Sequence, residues 1–409
     1  PVLALPALGS ALWDPQTTPH LRDARLGNEA LLEAVRELAF VDGTRRPVDF
    51  RHLGTEELGS VYESLLELHP VIDRHTSGFT LESAAGHERK QTGSYYTPTS
   101  LIGSLLETAL DPVIERAAAQ PEPERALLEL TVCDPACGSG HFLIAAANRI
   151  AKRLAGVREH DPEPAPQAVQ TALRDVVSHC IYGVDVNPMA AELCKVSLWL
   201  ETLEPGRPLS FMDDRIVVGN SLLGTTPALI ANGVPDDAFK PLLGDDKDVV
   251  KAWRRHNVRE REGQTSMRLQ AHEPTGDASA LTAAAQALAA INDSSPEGVR
   301  RREQAYRTLT CSAEHERLRL SADAWVASFV TPKDSGATRV TTSVVRRAET
   351  DGLAGLSDEE AEAVHAAVSR YMPLHWHVAF PAVFRAGEPP AGEHGWVGGF
   401  DCVLGNPPW

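Results

Sequence analysis

Three short apolar runs, Leu128 to Cys133, Ile181 to Val186 and Ile216 to Val218, are separated by stretches of helical periodicity. Strands that alternate with helices build a parallel sheet, because parallel neighbours can be joined only by a long crossover. Runs this apolar suit strands covered on both faces. A helix is expected from the glycine turn after the first run to about Leu154, and another around Ala168 to Val177. Asn187-Pro188 caps a third, with Met189, Leu193, Val196 and Leu200 expected inside. The sheet pattern resumes at Phe400 to Leu404, after the apolar segment HWHVAFPAVF (His375 to Phe384). The predicted fold class is α/β, a doubly wound, mostly parallel sheet.

Residues 225–370 interrupt that pattern. They are polar, rich in Ala, Arg and Glu, and too long for a plain loop in a compact domain. A mainly helical insertion is expected, with a flexible stretch near Asp293 to Glu297. Residues 1–90 are expected to form a helical N-terminal domain. Leu31, Leu32, Val35 and Leu38 keep helical spacing between Asn28 and Val41. Leu58, Val61, Tyr62, Leu65 and Leu66 form an apolar stripe on a helix starting near Thr55. Thr97-Pro98 opens another helix, with Ile102, Leu105, Leu106 and Ala109 facing inward. Residues 111–127 read as a Pro/Glu/Ala connector. The core then divides into 91–224 and a return over 371–409.

The formal net charge is −17. That is the wrong sign for a broad nucleic-acid clamp, whose affinity rests on cations neutralising phosphates. Basic surface must be local. Arg254-Arg255, Arg259 with Arg261, and Arg300 to Arg302 are candidates, and each fits a solvated helix face equally well. The six cysteines, Cys133, Cys137, Cys180, Cys194, Cys311 and Cys402, contain no CxxC pair. No disulfide framework and no metal site are expected, and a reducing cytoplasm is. Cys133 and Cys137 are expected to be packing residues. No apolar run reaches the length of a membrane span, and no signal-peptide pattern opens the chain. Its first residue is Pro, so a trimmed start is expected.

Asp134-Pro135-Ala136-Cys137-Gly138-Ser139-Gly140 stands between the first strand and its helix, with Phe142 just beyond. Small residues let backbone approach a ligand, and a helix start favours an anionic group. Leu143 occupies the third glycine position of a dinucleotide fingerprint. An acidic residue opening the loop instead suits the ammonium of an amino-acid-like ligand. Asp185 ends the second strand, where a carboxylate can accept from both ribose hydroxyls or cap the next helix. Asn220 ends the third strand and can hydrogen-bond an adenine edge.

Asn406-Pro407-Pro408-Trp409 carries the strongest chemical signal. The exocyclic amine of adenine is a poor nucleophile, because its lone pair is delocalised into the ring. The Asn406 side-chain oxygen and the Pro407 carbonyl can accept from the amine and localise that pair, on a turn made rigid by proline. Trp409 offers an aromatic face to an extruded base. With a sulfonium methyl as electrophile, alignment can supply roughly 7–11 kcal/mol. Neither a metal nor a covalent intermediate is required. Methylation at cytosine carbon would need a nucleophilic cysteine, usually after proline, and the chain has no Pro-Cys pair.

With these strings the chain resembles the adenine-specific DNA methyltransferases of restriction and phage-defence systems, above all the large Eco57I-like methylases, including those of BREX and DISARM systems. TGSYYTP (Thr92 to Pro98), DPACGSGHF (Asp134 to Phe142), GVDVNP (Gly183 to Pro188) and NPPW (Asn406 to Trp409) carry the resemblance. LGTEELGSVYESLLEL and HWHVAFPAVF resemble that family's flanking segments. The similarity spans most of residues 50–224 and 370–409. It implies a Rossmann-like core dependent on S-adenosylmethionine (SAM), with double-stranded DNA as substrate and other defence-system subunits as partners. The implied cofactor set is Tyr96, Thr97, Pro98, Asp134, Pro135, Ala136, Gly138, Gly140, Phe142, Asp185, Val186, Asn220 and Ser221. Within it, Tyr96 to Pro98 close over the methionine end, the glycine loop lines the amino-acid part, Asp185 holds the ribose and Asn220 lies near the adenine. Asn406 to Trp409 bind the target amine. The family's remaining strands and target-recognition domain are expected beyond NPPW, so a truncated chain is expected. Two other readings stay open: methylation of another planar amine, such as a cytosine amine or a protein glutamine amide, and a non-catalytic SAM- or DNA-binding subunit.

Overall fold

The computed structural model describes residues 25–41, 44, 46–49, 68–73, 78–83, 97–204, 207–268, 275–386 and 392–407. Helix α1 (Asn28–Ala39) and the antiparallel hairpin β1 (Leu68–Asp73) and β2 (Gly78–Ser83) come first. Helices α2 (Thr99–Ala109), α3 (Asp111–Ala118) and α4 (Pro123–Leu128) lead into β3 (Val132–Asp134). Then follow α5 (His141–Glu159), α6 (Pro166–Cys180), β4 (Ile181–Asp185), α7 (Pro188–Glu201) and β5 (Ile216–Val218). A helical stretch holds α8 (Pro227–Ala231), α9 (Lys247–Arg268), α10 (Thr275–Ala289), α11 (Pro296–Thr310), α12 (Ala313–Val330), α13 (Thr342–Asp351) and α14 (Asp358–Tyr371). The short helix α15 (Trp376–Ala379), the hairpin β6 (Phe384–Ala386) and β7 (Trp396–Gly398), and β8 (Cys402–Val403) complete the order.

Four strands form one parallel sheet in the order β5-β4-β3-β8. Val132 and Cys133 pair with Ile181 and Tyr182 on one side and with Cys402 and Val403 on the other. From β3 the chain steps outward through β4 and β5, then returns to the opposite side of β3 as β8. That reversal opens a crevice at the carboxyl ends of β3 and β8, the place where open α/β sheets bind ligands.

Alternation along the strands divides the core. Val132, Ile181 and Ile216 join the largest apolar cluster, with Ile102, Leu127, Leu143, Ile150, Val176 and Leu198 from the helices. Cys133, Tyr182 and Val184 pack instead on Leu374, Phe380 and Val383, with Trp376, Phe384 and Phe400 around them. The Phe380 and Phe400 rings lie 5.4 and 5.3 Å from the Tyr182 ring. The segment His375 to Phe384 is apolar because it covers this second face.

The helices between β5 and β8 have a core of their own, built on Ile230, Val234, Trp253, Trp325, Val345 and Val364. Its buried polar hub is Asn257, whose Nδ2 donates to the Val234 carbonyl at 2.8 Å. Its Oδ1 accepts from the Thr342 hydroxyl at 2.8 Å and the Thr342 N–H at 2.9 Å. Ser295, Ser312 and Ser357 cap α11, α12 and α14, the last in a capping box with Glu360. Each such cap stabilises its helix by about 1 kcal/mol.

Several expectations are corrected. The connector at 111–127 is helical, as α3 and α4, because Pro112 and Pro123 sit in first helical turns, where proline is favoured. Leu128 consequently ends a helix, and the first strand begins only at Val132. On α7, Met189 and Leu200 face solvent; the buried face runs through Ala191, Cys194 and Leu198. Trp199 is buried beside Leu198, so the inward face is rotated from the one expected. Residues 68–73 and 78–83 are strands where helix was expected, and the helix expected near Thr55 lies outside the described residues. Helix α1 forms, yet Leu31, Leu32, Val35 and Leu38 are exposed among the described residues. The stretch expected to be flexible near Asp293 is a packed turn, with Asp293 buried beside Arg302 and Ser295 capping α11. Among the basic candidates, Arg302 is buried against Asp214 at 2.9 Å, and Arg254 and Arg261 both pair with Asp236 at 2.8 Å.

Candidate functional site

Because the four strands are parallel, their carboxyl ends share one edge, and the chemically distinctive residues collect there. Asp134 ends β3, Asp185 ends β4, Asn220 follows β5 and Asn406 follows β8.

Asp134 is 1% exposed. Its Oδ1 accepts from the Ala136 N–H at 3.0 Å. Burial pushes the carboxyl up to about 7; the Ala136 N–H opposes the rise and the Asp185 charge adds to it. Gly405, at φ 155°, lies against this carboxyl, and a Cβ there would collide with Oδ1. Glycine is therefore required just before Asn406.

Asp185 ties two turns together. Its Oδ2 accepts from the Gly138 N–H at 2.9 Å and its Oδ1 from the Asn187 N–H at 2.8 Å. Burial raises this carboxyl, while the N–H groups of Asn187, Gly138 and Val186 hold it down. With these three N–H groups the carboxylate still has acceptor capacity for a further donor. Gly140 caps α5 at φ 90°, and a Cβ there would stand 2.8 Å from Cys194 Sγ. Pro135, Ala136 and Gly138 are half-buried in this loop and Val186 is exposed. Phe142 points away, into the apolar core. Cys133 and Cys137 are buried, free cysteines.

The Asn220 N–H donates to the Met372 carbonyl at 2.6 Å, and its Oδ1 accepts from the Leu222 N–H at 3.1 Å. Ser221 beside it is half-buried.

At the other end of the edge, Asn406 Nδ2 donates to the Thr97 hydroxyl at 3.2 Å. Two motifs about three hundred residues apart thus meet directly. Thr97 is half-buried, whereas Pro98, Asn406 and Pro407 are exposed. Tyr96, Pro408 and Trp409 lie outside the described residues. Sequence reading did not find the Thr97 contact or Gly405; for Gly405 the available signal was a glycine directly before Asn-Pro. Among the described residues no cluster of three or more His, Cys, Asp or Glu is arranged to hold a metal. No described helix is long and apolar enough to cross a membrane.

Residues 179–409, more than half of the chain, match the Eco57I restriction-modification methylase family. The chain belongs to that family. Residues 75–223 also match the N-6 DNA methylase family; that match holds the glycine loop, and the two matches overlap around Asp185 and Asn220. Three relatives are similar to parts of the chain. A Methanocaldococcus jannaschii protein named as a type II restriction enzyme and methyltransferase is 24% identical over 54% of this chain and 21% of its own length. The adenine-specific methyltransferase PglX of Streptomyces coelicolor is 29% identical over 36% of this chain and 9% of its own. The Eco57I type II restriction enzyme and methyltransferase of Escherichia coli is 24% identical over 48% and 20%. The chain therefore spans about a fifth or less of the relatives it matches.

Proposed function

We propose that this Eco57I-family chain carries the SAM site and the amine-binding turn of a DNA adenine-N6 methyltransferase. The reading includes a Rossmann-like core over 91–224 and 371–409 into which the helices of 225–370 are inserted. The observation that supports it most is the meeting of Asn406 with Thr97 at the sheet edge that also holds Asp134.

The residues present fit the cofactor. Asp134 is a buried carboxyl with no ion-pair partner among the described residues, and the ammonium of an amino-acid group would complete it. Asp185 has acceptor capacity to spare for the ribose. Bound SAM would supply an electrophilic methyl on sulfonium sulfur.

The chain's own residues then act on the amine. Because Asn406 Nδ2 donates to Thr97, Oδ1 is the atom left to accept from a substrate N–H. The Pro407 carbonyl is the second acceptor. Holding both amine hydrogens draws the lone pair out of ring conjugation and toward the methyl. The acceptors are fixed before substrate arrives, so no reorganisation is needed during transfer.

The test uses the full-length protein, DNA and labelled SAM, with mass spectrometry of the product nucleosides. N6-methyladenine is expected from the parent protein. Asn406→Ala should lose about 100-fold or more of the transfer rate with SAM binding kept. N4-methylcytosine as the product, or undiminished methylation by Asn406→Ala, would refute the proposal.

A further inference from the structure

The turn that carries Asn220 leaves the edge strand of the sheet, and its support comes from the far side of the helical stretch. The Asn220 N–H donates to Met372 O at 2.6 Å, and Asn220 and Pro373 form a parallel bridge. The Leu374 N–H donates to Leu223 O at 2.8 Å. The Thr225 N–H donates to His375 Nδ1 at 3.3 Å. A Cβ at residue 219 would stand 3.0 Å from Leu374 Cδ1, and one at 224 would overlap the Leu374 carbonyl. Residues 372–375 therefore clasp residues 219–225 along their whole length.

His375 is the last link of the clasp, and it hydrogen-bonds through its side chain. It is 4% exposed, and its Nε2 lies 3.0 Å from Oδ1 of Asp323 on α12, which is 5% exposed. Nδ1 is occupied as an acceptor by the Thr225 N–H, so the ring proton sits on Nε2 and is donated to Asp323. Asp323 Oδ2 in turn faces Arg319 at 3.6 Å. The imidazole has one fixed tautomer and two fixed partners, one at the sheet edge and one in the helical core.

We propose that His375 is a positioning residue for the Gly219–Thr225 turn, and that through Asp323 the helical stretch sets the geometry of the cofactor's adenine end. This rests on the reading of Asn220 as facing that adenine. Space filling alone would make His375 replaceable by any residue of similar volume. Positioning makes it replaceable only by residues that restore its hydrogen bonds.

The experiment compares His375→Ala, His375→Asn, Asp323→Asn and Asp323→Ala in the full-length protein. Titration calorimetry reads SAM binding without DNA, hydrogen exchange reads the amides of Asn220, Leu223 and Thr225, and steady-state kinetics separates KM for SAM from kcat. His375→Ala should weaken SAM binding and raise KM about tenfold, within the range for coupled sites. Its kcat at saturating SAM should stay within about twofold. The three amides should exchange faster. Asn at 375 places its Oδ1 near the former Nδ1, so His375→Asn should recover part of the affinity. Asp323→Asn keeps an acceptor and should bind SAM nearly as the parent does, whereas Asp323→Ala should resemble His375→Ala. If His375→Ala does not fold, the contrast between the two Asp323 variants decides the matter. Parent-like SAM affinity and exchange in His375→Ala, or equal behaviour of Asp323→Asn and Asp323→Ala, overturns the inference. A parent protein that binds no SAM instead overturns the functional reading beneath it.

Discussion

Asp134 shows how much chemistry one residue position can state. A carboxyl opening a glycine loop after a strand is legible in sequence, because its type and place define it. Its burial is not, since that depends on Gly405, which comes from the other end of the chain. The same distance hid the Thr97–Asn406 contact. The pH behaviour of Asp134 follows from its burial. An ordinary Asp titrates near about 4, whereas Asp134 in the folded chain titrates at about 7. The folded state thus binds the proton more tightly than the unfolded state, and stability falls as pH rises. The contribution is full below about 4 and is lost progressively up to 7, a change of at most about 4 kcal/mol. Melting scans from pH 5 to 8 should show this slope, and Asp134→Asn should flatten it. A cationic amino-acid group seated on Asp134 requires the ionised form. SAM binding near pH 6.5 should therefore release a proton, seen as buffer-dependent heats, with no release by Asp134→Asn. Buffer-independent heats in the parent protein would rule out this pairing. Removing the Thr97 hydroxyl tests the other contact. Thr97→Val should lower kcat at saturating SAM by about tenfold, because Asn406 loses the partner that orients its amide.

At the scale of elements, the strands of the parallel sheet were legible to within a few residues, because short apolar runs between helical stretches admit few arrangements, whereas the hairpins at 68–83 and 384–398 were not. Helix faces were harder to read. On α7 Met189 and Leu200 are exposed while Ala191, Cys194, Leu198 and Trp199 are buried, because the helix offers a second apolar face at nearly the same spacing. In α3 and α4 the prolines look like breakers until they are seen to occupy first turns. Two glycines show how element context decides the effect of one substitution. Gly103 lies inside α2 with open space where its Cβ would be. Gly103→Ala should raise stability by about 0.4–1 kcal/mol, through helix propensity and a less flexible unfolded chain. Gly405 has a positive φ and no room beside Asp134. Gly405→Ala should cost about 1–3 kcal/mol and weaken SAM binding, because β8 must withdraw from β3 to relieve the clash. Urea unfolding of both variants checks the pair; a shift of the same sign in each would show that the local geometry does not control the outcome.

At the scale of the whole molecule, the parallel sheet was legible and its joint with the helical stretch was not. Arg300 to Arg302 reads as a basic run suited to phosphate or solvent, but Arg302 on α11 is buried at 1% exposure. It bonds Asp214, which lies just before β5, at 2.9 Å, and Asp293 at 3.5 Å. This triad joins α11 to the segment that enters the sheet at β5, beside the Phe211–Tyr306 ring pair, whose centroids lie 5.5 Å apart. Arg302 Nε and Asp214 Oδ1 are buried without a partner among the described residues, so the network is not fully satisfied. An incompletely bonded buried triad contributes little net stability, but breaking it is costly, because Asp293 loses its ion pair and Asp214 keeps only Arg215 at 3.9 Å. Arg302→Met should destabilise the protein by about 3–5 kcal/mol. The triple change Arg302→Met, Asp214→Asn, Asp293→Asn should recover most of that loss. If the triad also couples the two cores, the parent should unfold in one calorimetric transition and Arg302→Met in two, the helical stretch first. The triple variant should then keep its stability while still unfolding in two steps, since neutral partners restore burial without restoring the joint. One transition in all three proteins would mean that the other contacts between the helical stretch and the sheet make the molecule cooperative without the triad.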